Sequence, residues 1–169
     1  MDEKHLMKEV RAMDEQVWLA RMREAEESLY HVACAILTSE TDRRDAMQET
    51  ALRAWEHRRS LRNEAYFKTW ATRIAINVCR DIMRKNRRVM PVEGLPERPA
   101  PELPSELHLT IEGLPERLRL PLVLYYLEGF SVEETARVLG LPEGTVKFRL
   151  HQARKALRVE LDGEEAHAV

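Results

Sequence analysis

The sequence predicts an all-helical protein with two small helical modules joined by a proline-rich linker. Glycine is scarce, with six residues in 169, and long segments rich in Ala, Leu, Arg, Glu and Met favour helix. Apolar residues recur through these segments at the three- and four-residue spacing of a helix. Five of the eight prolines fall between positions 91 and 104, where each removes a backbone donor and restricts the residue before it.

The first module is expected over residues 14–88, after an N-terminal extension at 1–13. A helical stripe contains Leu29, Val32 and Ile36. Its spacing continues upstream at Leu6, Val10, Met13 and Val17. This pattern predicts that the first helix extends toward the N-terminus. A polar break at 38–42 supplies N-cap candidates for a second helix over about 42–57. A loop around 60–64 precedes a third helix, from about Ala65 to Arg88.

Residues 89–104 predict an extended, semi-stiff linker. A second module is expected over 105–161, followed by an acidic tail at 162–169. Ser105 is the expected N-cap, Pro115 suits a helix start, and Pro121 predicts a kink or another start. Gly129 then breaks the chain. Because both modules are small, each is expected to find its core in three or four short helices.

A helix-turn-helix is predicted over residues 131–157. Ser131 and Glu134 have the spacing of a capping box, and Gly140 suits the left-handed turn that ends a helix. Ala136 is small where two helices must approach closely. The next helix starts after Pro142, with apolar positions at Val146, Leu150, Ala153 and Leu157. This arrangement would place the second helix in the major groove of DNA.

The outward face of that second helix mixes cations, hydrogen-bonding groups and one aromatic ring, which suits base edges and phosphates. It comprises Lys147, Phe148, His151, Gln152 and Lys155. An ordinary helical hairpin with a basic surface is the alternative. Cap, turn glycine, spacing and charge agree, and together they favour DNA binding.

The net charge of −2 alone would argue against nucleic acid, but its distribution does not. Basic residues concentrate in two helical segments, 72–88 and 143–158, which suggests two contacts with one polyanion. Since no apolar stretch approaches about 20 residues and no signal peptide opens the chain, we expect a cytoplasmic protein. Cys34 and Cys79 have no partner at metal-ligand spacing, so we interpret them as reduced, buried thiols and expect no metal or cofactor.

Three stretches of the chain resemble the extracytoplasmic-function group of sigma factors, which belongs to the sigma-70 family of bacterial RNA polymerase sigma factors. Residues 45–55 (DAMQETALRAW) are similar to the group's D-x-x-Q-E-x-x-x-x-A-W helix. Residues 67–70 (FKTW) and 73–77 (RIAIN) are similar to its F-x-T-W…R-I-A-x-N segment. Residues 114–117 (LPER), 127–131 (LEGFS) and 144–147 (GTVK) match its second domain.

The resemblance implies that the first module is sigma region 2, which docks on core RNA polymerase and reads the −10 element. The second module would be sigma region 4, which reads the −35 element. Such a protein is an initiation factor rather than an enzyme. The resemblance also implies an anti-sigma factor, membrane-linked or soluble, and a chain that is a monomer or a heterodimer with that factor.

Site residues follow from the same resemblance. Polymerase docking falls to Asp45, Gln48, Glu49 and Leu52, one helical stripe suited to a basic coiled coil on the polymerase's largest subunit. The −10 element falls to Leu61, Arg62 and Asn63 on a loop and to Arg73, Ile74, Asn77, Arg80 and Arg84 on a helix. The −35 element falls to Lys147, Phe148, Arg149, His151, Gln152, Arg154 and Lys155. Trp55 and Trp70 are interpreted as core residues.

This chain differs from many relatives at several of these positions. Leu61 stands where an aromatic residue is common, and Asn63-Glu64 replaces Gly-Asp. Phe148 replaces Ser, and Gln152 replaces Arg. These differences are expected to affect which bases are read.

Three other classes remain as alternatives. A response-regulator output domain of the LuxR/NarL type shares the GTVK helix, but residues 1–105 lack the alternating strands of a receiver domain. A sigma-like decoy that only sequesters an anti-sigma factor should have lost its basic helix ends, which this chain retains. An enzyme would need convergent carboxylates or a nucleophile–base pair, and Asp45 with Glu49 has no such company.

Overall fold

The computed structural model describes residues 13–88 and 111–167, with side chains to residue 158. In the first module, α1 spans Glu15–Ile36, α2 spans Glu40–Glu56 and α3 spans Phe67–Arg88. Short 3₁₀ turns at Arg58–Ser60 and Glu64–Tyr66 connect α2 to α3. Since α3 packs against both α1 and α2, the module is a three-helix bundle.

The second module is also helical. It contains α4 (Glu116–Leu122), a π-helical turn (Val123–Leu127), α5 (Val132–Leu139) and α6 (Glu143–His167). No strand occurs in either described range, and the all-α expectation is confirmed. The predicted linker at 89–104, the predicted N-cap Ser105 and residues 1–12 lie outside the described residues. The acidic segment expected at 162–169 begins within α6, whose backbone is helical to His167.

The helix ends in the first module follow the local side chains. Ser39 caps α2, its hydroxyl accepting a hydrogen bond from the backbone N–H of Asp42 at 3.2 Å, so the polar break acts as predicted. The predicted extension of the first helix through Met13 is wrong. Asp14 is extended (φ −60°, ψ 148°) and α1 begins at Glu15. Met13 satisfies its apolar spacing by packing, without helix, in a buried cluster with Leu29.

The turn signals of the second module act largely as predicted. Pro115 stands at the N-cap of α4, whereas Pro121 lies inside that helix rather than at a new start. The α-helical geometry gives way to the π turn two residues later. Gly129 has φ +70° and Gly140 has φ +66°, a region in which residues with a Cβ are strained. Gly140 therefore ends α5 in the left-handed cap expected of it.

The two modules share one buried cluster, whereas the sequence led us to expect a separate core in each module. One buried cluster combines Val32 and Ile36 of α1 and Ile76 of α3 with Leu124 and Phe130 of the second module. Short helices of the second module leave apolar side chains that the first module covers, so both bury more surface together than apart. Smaller clusters complete each module.

The two cysteines differ in environment. Cys79 lies in the shared cluster, where burial raises the pKa of its thiol to about 12. Cys34 is only half-buried, so the expectation of burial is confirmed for Cys79 and wrong for Cys34. Both are free thiols.

Candidate nucleic-acid interface

The helix-turn-helix separates an apolar inner face from a polar outer face. The capping box of α5 is complete. Glu134 N–H donates to the Ser131 hydroxyl at 3.0 Å, and Ser131 N–H donates to the Glu134 carboxylate at 2.8 Å. Ala136 packs directly against Val146 and Leu150 of α6, which confirms the close approach of the two helices. These contacts fix which face of α6 turns away from the protein.

The outer face of α6 carries the expected side chains. Lys147, His151 and Lys155 are exposed, and the ring of Phe148 is 61% exposed even though a phenyl ring is usually buried. Gln152 is half-buried, so its amide has less freedom than its neighbours. This face therefore presents cations, one aromatic ring and hydrogen-bonding groups on the side of α6 that faces away from the core.

Neighbouring residues orient some of the cations on α6. The guanidinium of Arg154 donates to the hydroxyl of Tyr126 at 3.0 Å, and Lys147 Nζ lies 4.0 Å from Glu143 one turn earlier. Arg149 is half-buried. Tyr126 is half exposed, so Arg154 stays accessible to a phosphate while its direction is restrained.

The candidate docking stripe lies on the solvent side of α2. Ala46, Thr50 and Ala54 are buried, as predicted for the inner face. The outer stripe is open at Asp45, Gln48 and Leu52. Leu52 is 51% exposed, which leaves an apolar contact at the end of an acidic stripe.

Glu49, the fourth member of the stripe, takes part in an ion network that the sequence analysis missed. Arg53 Nε donates to Glu49 at 2.6 Å, and Arg53 Nη1 donates to Asp81 of α3 at 2.9 Å. Asp81 also accepts from Arg84. The hydrogen bond from Arg53, followed by that from Arg84, holds the pKa of Asp81 below its usual range. The network links α2 to the basic helix α3.

The loop residues expected at the −10 element lie on the first module's surface. Leu61 is half-buried against the cluster that contains Phe67, whereas Arg62 and Asn63 are exposed. The side-chain oxygen of Asn63 accepts from the backbone N–H of Ala65 at 2.9 Å, which starts the second 3₁₀ turn. Because that oxygen already accepts a hydrogen bond, the side chain of Asn63 can offer a ligand the N–H donors of its amide.

The helix residues expected at the −10 element lie on α3. Arg73 and Asn77 are exposed one turn apart, but Ile74 packs against the cluster shared by the modules. Asn77 lines a surface cavity of about 510 Å³ together with Arg80, Arg84 and Glu116 of α4. The loop residues 61–63 are not part of this cavity. The structure therefore brings Asn77, Arg80 and Arg84 together beside the second module, whereas Arg73 and Ile74 do not line this cavity.

Trp55 and Trp70 are both half-buried, and Trp70 packs against the buried cluster that contains Phe67. The ring of Trp55 makes an edge contact with Trp18 at 5.2 Å between centroids and carries the Arg58 guanidinium 3.7 Å above its face. Trp70 packs beside Phe67 at 5.7 Å.

Comparison with known proteins assigns both modules. Residues 22–89 match the family "Sigma-70 region 2", and residues 105–157 match "Sigma-70, region 4". An ECF RNA polymerase sigma-E factor of Haemophilus influenzae is 33% identical over 140 residues, covering 70% of this chain and 74% of the relative. The chain belongs to the extracytoplasmic-function group of RNA polymerase sigma factors.

Other relatives agree with this assignment. The ECF sigma factor SigE of Mycolicibacterium smegmatis is 32% identical over 158 residues, covering 83% of this sigma factor and 60% of the relative. Among solved structures, the sigma factor RpoE of Bartonella quintana, in complex with the anti-sigma factor NepR, superposes with a TM-score of 0.71. It is 25% identical and covers 88% of this chain and 96% of its own.

The residues that join the modules of this sigma factor were missed by the sequence analysis. They are His31, Lys68, Arg80, Glu116, Arg119 and Glu128. His31 and Glu128 are 97 positions apart, and no motif or periodicity connects them.

Within the two described ranges, no helix is both long and apolar enough to span a membrane.

Proposed function

We propose that this sigma factor joins core RNA polymerase and directs it to promoters through two readers on two modules. Residues 14–88 would dock on polymerase and read the −10 element, and residues 105–161 would read the −35 element. The single observation that carries this proposal is the two-faced α6, buried at Val146 and Leu150 and open at Lys147, Phe148 and His151. It acts as an initiation factor without catalysis of its own, in the cytoplasm.

The −35 reader is the outer face of α6. A helix in the major groove uses its early outward positions for base edges and its cations for phosphates. Lys147, Phe148, His151 and Gln152 occupy the base-reading positions. The ring of Phe148 suits the methyl group of a thymine, and the amide of Gln152 suits adenine. Arg149, Arg154 and Lys155 add phosphate contacts.

The docking surface is the outer stripe of α2. Asp45 and Gln48 present polar groups and Leu52 an apolar side chain to one partner, which suits a basic coiled coil with an apolar ridge. Glu49 contributes a carboxylate that already accepts from Arg53. Charge complementarity of this kind steers association and fixes orientation.

The −10 reader combines Leu61, Arg62 and Asn63 with one face of α3. A base flipped out of the stack needs an apolar or stacking wall and a group that matches its hydrogen-bonding edge. Leu61 and Ile74 supply apolar surface, and the amides of Asn63 and Asn77 supply hydrogen bonds. Arg73, Arg80 and Arg84 lie along the same helix as cations for the single strand.

We also propose an anti-sigma factor as a regulatory partner, so that the chain exists free as a monomer or as a heterodimer. The solved Bartonella quintana relative forms such a complex. The match to region 2 over residues 22–89 favours a sigma factor over the alternative of a response regulator.

A reconstitution experiment tests the proposed function. Core RNA polymerase is mixed with a randomised promoter library in the presence or absence of the purified chain, and retained DNA and transcripts are sequenced. We expect retention and specific start sites only when the chain is present, with two selected sequence blocks. Promoter-independent binding, or equal transcription without the chain, would overturn the proposal.

A further inference from the structure

Tyr66 differs from the other three tyrosines of the chain because its side chain has no partner. Tyr30 and Tyr126 are each hydrogen-bonded through the hydroxyl, and the ring of Tyr125 makes an edge contact with that of Tyr126. Among the described residues, neither the ring nor the hydroxyl of Tyr66 has such a contact, and the residue is 52% exposed. The ring of Tyr66 is therefore available to a ligand.

The other aromatic rings near the −10 loop are occupied. Trp18 and Trp55 contact each other edge to face, and Phe67 is buried beside Trp70. A base that stacks on a protein needs an open ring face. Of the aromatic residues described in the first module, Tyr66 is the one that offers it.

Tyr66 stands where the −10 loop meets α3. Its backbone N–H donates to the carbonyl oxygen of Asn63 at 3.1 Å, which closes the 3₁₀ turn. Phe67 already has helical dihedral angles (φ −55°, ψ −49°), so the helical direction begins at the ring of Tyr66. Counted from Tyr66, the spacings i+7, i+11, i+14 and i+18 of one helix face fall on exposed residues, namely Arg73, Asn77, Arg80 and Arg84. Tyr66 thus connects the loop with the exposed face of α3.

This exposed face combines a ring with a row of cations. It extends about 27 Å from position 66 to position 84 at about 1.5 Å per residue. Arg73, the first cation after Tyr66, forms no ion pair within the described ranges, whereas Arg80 lies 3.6 Å from the Glu116 carboxylate. Cations that track phosphates beside an aromatic ring are the usual arrangement for holding single-stranded nucleic acid. The charge of Arg73 is therefore free to bind a phosphate next to the ring.

We propose that Tyr66 is a stacking platform for one unpaired base of the −10 strand, beside the amide donors of Asn63. The inference deepens the proposed function and rests on the assignment of this loop and α3 to the −10 element. Every base has a π face, so the stack supplies affinity without selecting base identity. Because a base can stack on Tyr66 only after it leaves the duplex, the contact favours melted over paired promoter DNA.

Substitutions at Tyr66 test the platform in the full chain bound to core RNA polymerase. The probe is a fluorescent promoter duplex with sequences selected by the wild-type holoenzyme and a −10 region unpaired in advance by mismatches. We expect Tyr66→Ala and Tyr66→Leu to weaken its binding about tenfold, because both remove the ring. Tyr66→Phe keeps the ring and should bind like the wild type. Leu19→Ala, which removes a side chain 40% exposed on α1, is the control and should also bind like the wild type.

A scan with abasic nucleotides identifies the base that stacks. In the wild type, removing the base at one position of the non-template −10 strand should weaken binding about tenfold. In Tyr66→Ala the same removal should cost less than about twofold, because the ring that the base would meet is already absent.

Four results would overturn the inference. They are unchanged probe binding by Tyr66→Ala, full binding by Tyr66→Leu, equal abasic losses in Tyr66→Ala and wild type, and weaker binding of Tyr66→Ala to core polymerase without DNA. The last result would make the ring a polymerase contact. If no −10 position is sensitive to base removal even in the wild type, the proposed −10 assignment fails, and the inference fails with it.

Discussion

Arg119 of α4 donates a hydrogen bond from Nε to the backbone carbonyl oxygen of Ala35 in α1 across 2.7 Å. Its Nη1 donates to the carbonyl oxygen of Glu112 at 2.6 Å. Ala35 lies in the last turn of α1, where carbonyl groups have no partner inside the helix. Partial burial lowers the pKa of Arg119, and the side chain serves as a polar tie between modules.

Replacing Arg119 should lower the stability of the folded protein. We expect Arg119→Met to lower the free energy of unfolding by about 1–3 kcal/mol, because a charged donor is lost and the Ala35 carbonyl is left without its partner. Urea denaturation of the full chain measures the change. Arg117→Met, on the exposed side of the same helix, serves as the control and should change stability by no more than about 0.5 kcal/mol. Equal effects of the two substitutions would contradict the role given to Arg119.

The docking stripe makes a second prediction. Asp45→Lys should weaken binding to core RNA polymerase about tenfold or more, because it places like charge against a basic partner surface. Helicity and unfolding should change little, since Asp45 is exposed. Affinity is measured by titrating labelled chain with core polymerase, and Glu133→Lys controls for net charge. Undiminished affinity of Asp45→Lys would remove α2 from the docking surface.

The cations of α6 make a third prediction. Arg154→Ala or Lys155→Ala should reduce binding of −35 duplexes of any sequence. Either should also lower the slope of log affinity against log salt by about 0.9 for each phosphate that the side chain neutralises. Tyr126→Phe removes only the hydroxyl that Arg154 contacts, and should reduce affinity less than Arg154→Ala. Fluorescence anisotropy over a salt series gives the slopes. If the effect is confined to one base position, the residue reads sequence instead.

Local order in the sequence predicted much of the fold. Ser39, the Ser131–Glu134 box and Gly140 act within a few residues of themselves, so their type and spacing suffice to place helix ends. The inner stripe of α6 was predictable for the same reason, because a period of 3.6 residues identifies a buried face. The apolar spacing at Met13 shows the limit of this reasoning. Met13 is buried, but Asp14 beside it is extended and α1 begins only at Glu15, so the spacing predicted burial and not helix.

The relation between the modules could not be predicted in this way. Glu128 contacts His31 and Lys68 only after folding brings distant segments together. Such a long-range contact produces no regular residue spacing that a single sequence could reveal. The proline-rich segment predicts where modules separate, not whether they dock. Ile74 was accordingly interpreted as a DNA-facing residue, although docking covers it. The candidate −35 face needed only local pattern, whereas the setting of the −10 residues needed tertiary structure.

The Arg53–Asp81 pair makes a prediction about acid stability. The pKa of Asp81 is lowered in the folded protein by hydrogen bonds from Arg53 and Arg84, so its contribution to stability is present above the unfolded value of about 3.9. That contribution is lost as pH falls through the lowered pKa of the folded state. Asp81→Asn should therefore destabilise the protein at pH 7, modestly because the side chain is partly exposed. Urea unfolding of both proteins should converge in acid; a difference independent of pH would contradict this.

Promoter selection by paired variants tests most directly the central claim that each module reads its own element. Core RNA polymerase is combined with the wild-type chain, the Gln152→Arg variant or the Asn77→Ala variant. Each holoenzyme then selects promoters from a library randomised at both the −10 and the −35 element. Gln152→Arg should shift a −35 position from adenine toward guanine, a preference worth about 1–3 kcal/mol, and leave −10 bases unchanged. Asn77→Ala should relax base choice only at −10. Identical selection by all three proteins, or changes in the opposite elements, would contradict the assignment.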